Sequence, residues 1–360
     1  MRVVELPPPS KLELPEWEAS DQDVVIIGRE DDRPGHDLFD IRAAAFLSDD
    51  RFVVAHAGSH ELRLFGFDGD YGGAIGREGA GPGEFVGPTW VGVGPGDTIV
   101  AYDVSPRRLS VFSGDGRLVR SVQVTPTEEW SFPEVRGVFE DGSFVFVPGF
   151  DRVFSRGKRR DPVVFMQYDG AGRPQDTLAV LPGREEFFAV VGDGAMRADA
   201  PFARDAYAGV GGRTIALGVS DTYEITLLDA VEGVPTVRIR APADARSVSP
   251  GDVRAWKQER LAHWPAAARD AFAAAFDDTA LTYPAFSGLL VSSDGEIWVR
   301  EPILANSERD VWHVYDADGT PAARVGISHG QDLLAIGPRH LLAKGRDELD
   351  REILHLYRRP

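Results

Sequence analysis

The 360-residue chain contains no cysteine, and this absence excludes disulfide bonds, thiolate metal sites and cysteine nucleophiles. It also lacks any apolar run close to the roughly 20 residues of a membrane helix, so we expect no membrane span. Basic residues are scarce, because 39 lysines and arginines stand against 57 aspartates and glutamates, for a net charge of −18. Such a surface repels phosphate backbones and anionic lipids, so we expect no nucleic-acid partner.

The beginning of the sequence lacks the pattern of a signal peptide. Residues Met1 to Ser10 include few apolar side chains and three consecutive prolines, Pro7 to Pro9, whereas a signal peptide needs an apolar stretch of about 7–15 residues. The sequence alone therefore leaves the compartment open. Catalytic motifs are missing as well, since we find no Gly-x-Ser-x-Gly elbow, P-loop or zinc-protease helix motif.

What the chain does contain is a repeated pattern of tight turns and short strands, which its 39 glycines and 25 prolines suit. In the clearest copy, Gly96-Asp97 leads into a predicted strand over residues 98–103 and a second over 108–112. Asp115-Gly116 then leads into a third strand over 118–122. Repeated four-stranded units of this size close into β-propellers.

The turn that opens each unit recurs six times. These turns lie at Asp49-Asp50, Gly96-Asp97, Asp141-Gly142, Gly211-Gly212, Asp294-Gly295 and Gly337-Pro338. Consecutive turns are 47, 45, 70, 83 and 43 residues apart. The repeat is therefore about 45 residues long, and two of the five intervals are enlarged. The sequence therefore predicts an all-β, six-bladed β-propeller.

The two ends of the chain are expected to meet. The last unit stops at Pro360 one strand short, while residues 23–27 form a lone strand without a hairpin partner. Pairing this N-terminal strand with the last unit closes the ring and removes a bare sheet edge. We therefore expect an N-terminal extension over residues 1–22 and a single propeller domain over residues 23–360.

The enlarged gaps predict two insertions. Ser249 and Pro250 form a helix start, and an alanine-rich stretch follows, so we expect a helical insertion at about residues 249–278, between blades 4 and 5. This insertion either covers the channel as a lid or packs on the rim as structural filler. The other gap, residues 150–161 and 182–205, is polar and glycine-rich, and we expect it to be loop.

The segment from Gly76 to Phe85, GREGAGPGEF, resembles the Gly-x-Gly-Pro-Gly-Glu-Phe signature of NHL-like six-bladed β-propellers. The following segment, GDTIVAYDVSPRRLSVFSGDGRLVRSV, is similar to the repeat of that family. The resemblance implies a propeller of the kind that environmental bacteria usually export, so it favours a periplasmic or extracellular location. It implies little about activity, because propellers carry many unrelated functions.

Both enlarged insertions are expected on one face, where the connections into the innermost strands surround the channel mouth. Binding residues concentrate on elaborated loops held by a rigid scaffold, so we expect the functional site there. The candidate binding residues of this face are His36, His60, His329, Asp332, Arg300 and Glu301. For Arg300 and Glu301, a buried ion pair that locks blade five is the favoured alternative.

Three functions fit these residues. The favoured one is a non-enzymatic, monomeric binding propeller for a protein, peptide or glycan, with no cofactor. The alternative is a lyase or lactonase that holds a divalent metal ion with His36, His60 and His329, since imidazoles and carboxylates are metal ligands. None of their local spacings is a metal signature. The third is a structural scaffold, which predicts an exposed apolar patch of more than a few hundred Å².

Overall fold

The computed structural model describes residues 1–19, 24–29, 33–127, 134–147, 157–191, 194–244, 246–262, 264–275, 281–304 and 307–359. Its fold is almost entirely β. The chain begins with three short strands that join sheets formed much later in the sequence. They are β1 (Arg2–Glu5), β2 (Glu16–Glu18) and β3 (Val24–Ile27).

The first half of the chain forms three four-stranded sheets. Sheet 1 contains β4 (Ile41–Phe46), β5 (Arg51–His56), β6 (Glu61–Gly66) and β7 (Tyr71–Ile75). Sheet 2 contains β8 (Pro88–Gly94), β9 (Thr98–Asp103), β10 (Arg108–Phe112) and β11 (Leu118–Gln123). Sheet 3 contains β12 (Glu134–Val138), β13 (Phe144–Val147), β15 (Pro162–Tyr168) and β16 (Pro174–Pro182). The strand β14 (Gly157–Arg159) lies between β13 and β15 in the chain and joins β17 (Glu186–Val191) and β18 (Gly194–Asp199) in a separate sheet.

The second half forms three more sheets, and an N-terminal strand adds a fifth strand to two of them and the fourth strand to the last. Sheet 4 contains β19 (Ala206–Gly211), β20 (Thr214–Val219), β21 (Tyr223–Asp229) and β22 (Pro235–Ala241), with β1 parallel to β22. Sheet 5 contains β23 (Gly288–Val291), β24 (Ile297–Arg300), β25 (Arg309–Tyr315) and β26 (Pro321–Ser328), with β2 parallel to β26. Sheet 6 contains β27 (Asp332–Ile336), β28 (His340–Arg346) and β29 (Glu352–Arg358), and β3 pairs with β29 in antiparallel register. The pairing of β3 with the last unit is therefore the one that the missing strand predicted.

The hydrophobic core is divided among the spaces between neighbouring sheets. Six clusters of buried residues join sheet 1 to sheet 2, sheet 2 to sheet 3 and so on, and one of them joins sheet 6 back to sheet 1. Both faces of the inner strands are covered, which explains why β5 and β9 are nearly continuous apolar runs. The outermost strand of sheet 2, β11, is by contrast mostly exposed.

Glycine in the last turn of several sheets allows this close packing. In Asp115-Gly116, φ of the glycine is +84°, and a β-carbon there would lie 2.9 Å from Ile75 of sheet 1. A side chain at this position would meet both backbone strain and a clash. The same contact with the preceding sheet recurs at Gly69, Gly172 and Gly319.

Two helices, α1 (Pro250–Leu261) and α2 (Ala266–Ala275), lie in the chain between sheets 4 and 5. Ser249 caps α1 as its sequence predicted, because its side chain accepts the Asp252 N–H and the Asp252 carboxylate accepts the Ser249 N–H. The helices pack on the three-stranded sheet of β14, β17 and β18 through Phe187 and Phe272, whose ring centroids are 5.4 Å apart. We call these two helices and three strands the accessory module.

The expectation of loop for residues 182–205 was wrong, because β17 and β18 form a hairpin there. Residues 186–191, EFFAVV, are apolar enough for a strand once the helices cover them, and Phe187 and Phe188 are buried. The covering surface comes from a segment more than 60 residues later in the chain, so local composition did not reveal it.

Candidate functional site at the mouth of the central cavity

The first strand of each of the six sheets contributes to one cavity of about 600 Å³. Its wall consists mainly of glycine, alanine and aliphatic side chains from β4, β8, β12, β19, β23 and β27. A second cavity of about 480 Å³ shares Arg136, Ala208, Leu290 and Leu333 with the first. It lies where four of these strands begin, and we call it the mouth. Its polar lining is Glu134, Arg136, Arg184, Asp205, Tyr207, Ser287, Arg300 and Asp332.

Arg300, the last residue of β24 and one of the candidate binding residues, lines the mouth and is held there by several contacts. Its Nε donates to Ser287 Oγ and its Nη2 to the Ser287 carbonyl oxygen, both at 3.1 Å. The guanidinium also lies 5.6 Å from the ring centroid of Trp312, a cation–π arrangement. Its Nη1 is 3.8 Å from the buried Asp310 carboxylate, which is beyond hydrogen-bond distance.

Tyr207 in β19 was not predicted as a site residue. Its ring packs on Phe286 with centroids 5.5 Å apart. Burial and the nearby Asp205 carboxylate raise the pKa of the Tyr207 phenol, while Arg184 and Arg300 partly oppose that rise. The hydroxyl therefore stays protonated at neutral pH, and within the described ranges no group hydrogen-bonds to it.

The remaining charged groups of the mouth are mostly paired. Arg184 donates from Nε to Asp205 at 2.7 Å and from Nη1 to Asp199 at 2.9 Å. Burial opposes the charge of Arg184, but these two carboxylates outweigh it and raise its pKa. Asp332 differs, because its exposed carboxylate has no ion-pair or hydrogen-bond partner in the part of the chain that the structure describes. The mouth therefore pairs most of its charges and leaves Asp332 free.

Glu301 follows Arg300 in the chain but points away from the mouth, toward sheet 4. It accepts hydrogen bonds from His313 Nε2 at 2.9 Å and from Arg324 at 3.2 Å, and Arg246 is 3.8 Å away. Burial alone raises the pKa of Glu301, but His313, Arg324 and Arg246 outweigh it and the net pKa is lowered. The cavity beside this cluster measures only about 20 Å³. Glu301 is thus part of a closely packed charged cluster on the side of sheet 5 that faces sheet 4.

The three histidines of the metal hypothesis contact different parts of the protein. His36 is only 2% exposed and hydrogen-bonds to the Gly28 N–H and the Gly69 carbonyl oxygen. His60 donates from Nδ1 to the Val86 carbonyl oxygen at 2.6 Å. His329 bonds through Nδ1 to Asp310 at 2.9 Å.

Within the described ranges, no three histidine, aspartate, glutamate or cysteine side chains are grouped closely enough to hold a metal ion. Glu84, in the glycine-rich signature, also has a local role. It accepts the Gly81 N–H at 2.9 Å and pairs with Arg77 at 2.8 Å, so the carboxylate fastens its own turn.

The accessory module borders the mouth through Arg184 and Asp199. Arg184 lies just before β17 and lines the mouth, while Asp199 ends β18. In the basic run of residues 156–160, Arg160 pairs with Asp221 and Arg159 with Asp161, whereas Arg156 lies outside the described residues. These pairs fit a local counter-charge to the acidic surroundings.

The mouth residues at the ends of the innermost strands share one sequence position. Glu134, Asp205 and Ser287, which were not predicted, each stand at or just before the first residue of an innermost strand, as the candidate Asp332 does. Aligning the repeats on the strands, rather than on the turns that follow them, brings these residues together. Arg184 had no such signal, because it reaches the mouth from outside the repeat.

No protein-family model matches the sequence, and the comparison with curated proteins finds no match. Among solved structures, a Bacteroides fragilis protein provisionally described as exported is 12% identical, with a TM-score of 0.50 over 99% of each chain. A gluconolactonase from Xanthomonas campestris is 12% identical over 89% of this chain and 86% of its own, with a TM-score of 0.46. A streptogramin B lyase is 10% identical over 94% of this chain and 99% of its own, with a TM-score of 0.42.

The sheets described above pack one on the next around a central cavity, and the last packs on the first, which is the arrangement of a propeller. The Bacteroides fragilis structure has a propeller-type fold as well. The chain has a β-propeller fold. At 10–12% identity the likeness concerns the fold alone, so the activities of the two enzymes are not transferred. Among the described helices, neither is long and apolar enough to cross a membrane.

Proposed function

We propose that the chain is a six-bladed, NHL-like β-propeller over residues 23–360 that binds a ligand at the mouth without catalysing a reaction. Six sheets that pack cyclically around one cavity support the blade number. The accessory module, including the helical insertion, is proposed as one wall of the binding site, because Arg184 and Asp199 join it to the mouth. Export is proposed on the family resemblance alone.

One observation carries the binding function. The mouth lining contains polar groups without a hydrogen-bond partner in the part of the chain that the structure describes, namely the Tyr207 hydroxyl, Arg300 Nη1, which lies 3.8 Å from Asp310, and the Asp332 carboxylate. Donors and acceptors that line a concave site and that the protein itself does not use are available to a ligand. A ligand that supplies the missing partners explains why they lie together.

The test is a binding screen of peptides and glycans with a matched pair of double variants. Tyr207→Phe/Asp332→Asn removes two of the unpartnered mouth groups with little change in shape. Tyr71→Phe/Asp176→Asn makes the same chemical changes at two positions outside the mouth. We expect every specific ligand to lose about tenfold or more in affinity with the mouth variant and to be unaffected by the control. Specific binding that is unaffected by the mouth variant contradicts the proposal.

A further inference from the structure

The unpartnered groups of the mouth also define a chemical class of ligand. Two of them, the Tyr207 hydroxyl and Arg300 Nη1, are donors, and a carboxylate is the natural acceptor for a phenol and a guanidinium together. We propose that the mouth binds a small organic acid whose carboxylate is held by Arg300 and Tyr207. This inference rests on the proposed function and names its ligand.

Arg300 is preorganised for this role. Its two bonds to Ser287 fix the plane of the guanidinium, and the nearby Trp312 ring limits its movement. A planar fork fixed in this way loses little conformational entropy when it binds a carboxylate. Asp310 balances part of the charge at 3.8 Å, but it is hydrogen-bonded to His329 instead of Arg300. One edge of the guanidinium therefore stays available.

Tyr207 adds a neutral donor to the lining of the same cavity. Its raised pKa keeps the proton on the phenol, so it donates to an anion and does not repel it. Arg184 adds no net positive charge, because Asp205 and Asp199 both pair with it, so the attraction for an anion comes from Arg300 and the Tyr207 hydroxyl. The donor side of the mouth thus favours a single negative charge.

Asp332 restricts which chemical groups the ligand can carry besides its carboxylate. As an exposed, unpaired acceptor among the described residues, it repels a second anionic group and favours a donor such as a hydroxyl or an ammonium. The expected ligand combines a carboxylate with such a donor in a volume below about 480 Å³. Sugar acids and amino acids both have this combination.

Saturation-transfer NMR detects the weak binding expected of such small probes. Two matched pairs of probes distinguish a sugar acid from an amino acid as the ligand. D-glucuronate is compared with D-glucose, and L-leucine with L-leucinamide, so that each pair differs in the carboxylate. We expect at least one acid to bind saturably and about tenfold or more tightly than its neutral partner. The pair that shows this difference identifies the ligand as a sugar acid or an amino acid.

Tyr207→Phe and Arg300→Lys are expected to weaken the bound acid about fivefold to tenfold, because each removes one directed hydrogen bond while the charge of residue 300 is kept. Tyr71→Phe and Arg117→Lys are the matched controls outside the mouth, and they are expected to have no effect. Acids that bind no better than their neutral partners, or that give no saturable signal, overturn the inference.

The two proposals fail separately. If a neutral ligand from the screen depends on Tyr207 and Asp332, the mouth is a binding site but the carboxylate inference is wrong. If no ligand depends on the mouth, the proposed function fails as well.

Discussion

Arg300 and Glu301 are neighbours in sequence, yet they belong to opposite sides of sheet 5. Arg300 faces the mouth, where one of its nitrogen atoms has no hydrogen-bond acceptor. Glu301 faces sheet 4, where it accepts hydrogen bonds from His313 and Arg324 of its own sheet, and Arg246, which follows sheet 4 in the chain, lies close. Side chains alternate across a strand, so one residue of register separates an open polar site from a closed one.

This difference gives a physical criterion for function in a scaffold without catalytic motifs. The Glu301 carboxylate is mostly buried and accepts from both His313 and Arg324, as expected of a structural contact. The mouth is equally polar but incompletely paired. Removing a polar group from the Glu301 cluster should therefore lower the free energy of unfolding, whereas removing one from the mouth should lower the affinity for a ligand.

The largest effect is expected from Glu301→Gln. The variant keeps the shape of the side chain but leaves His313, Arg324 and Arg246 around an uncharged group. We expect a loss of about 2–3 kcal/mol in the free energy of unfolding, measured by urea denaturation. A loss below about 0.5 kcal/mol would show that the Glu301 cluster does not stabilise the fold.

A smaller loss is expected for Tyr223→Phe. The Tyr223 and Tyr315 hydroxyls are buried and 2.6 Å apart, so the variant leaves Tyr315 without its partner. We expect a loss of about 1–2 kcal/mol by urea denaturation. Tyr102→Phe is the control, since its buried hydroxyl has no partner among the described residues and its removal should cost nothing. Equal losses in both variants would contradict this assignment.

The pH dependence of stability distinguishes the two regions further. Because the pKa of Glu301 is lowered in the folded protein, its contribution is present above its ordinary pKa of 4.5 and is lost as the pH falls through the folded value. The stability difference between the wild type and Glu301→Gln should therefore shrink below about pH 4.5. Urea denaturation of both proteins at pH 7 and at several lower pH values measures this stability difference. A difference that grows as the pH falls would contradict a lowered pKa of Glu301 in the folded protein.

The sequence predicted the repeat because turns at fixed spacing are local features, such as Asp115-Gly116 and Asp318-Gly319. It also predicted the partner of β3, since an incomplete last unit needs one more strand. The candidate functional site was harder to predict from the sequence. Arg300 and Asp332 became candidates through their place in the repeat, whereas Tyr207 and Arg184 became candidates only through neighbours brought close by folding. The three histidines were grouped by position along the repeats, but their contacts are made with separate parts of the protein.

The most direct test of the account needs no ligand. If the unpartnered mouth groups serve binding, Tyr207→Phe/Asp332→Asn should unfold with a free energy within about 0.5 kcal/mol of the wild type, or slightly above it. Urea denaturation at pH 7, beside the Glu301→Gln variant, gives the answer. A loss of about 2 kcal/mol or more would mean that Tyr207 and Asp332 are structural, and it would contradict the assignment of the mouth as the binding site.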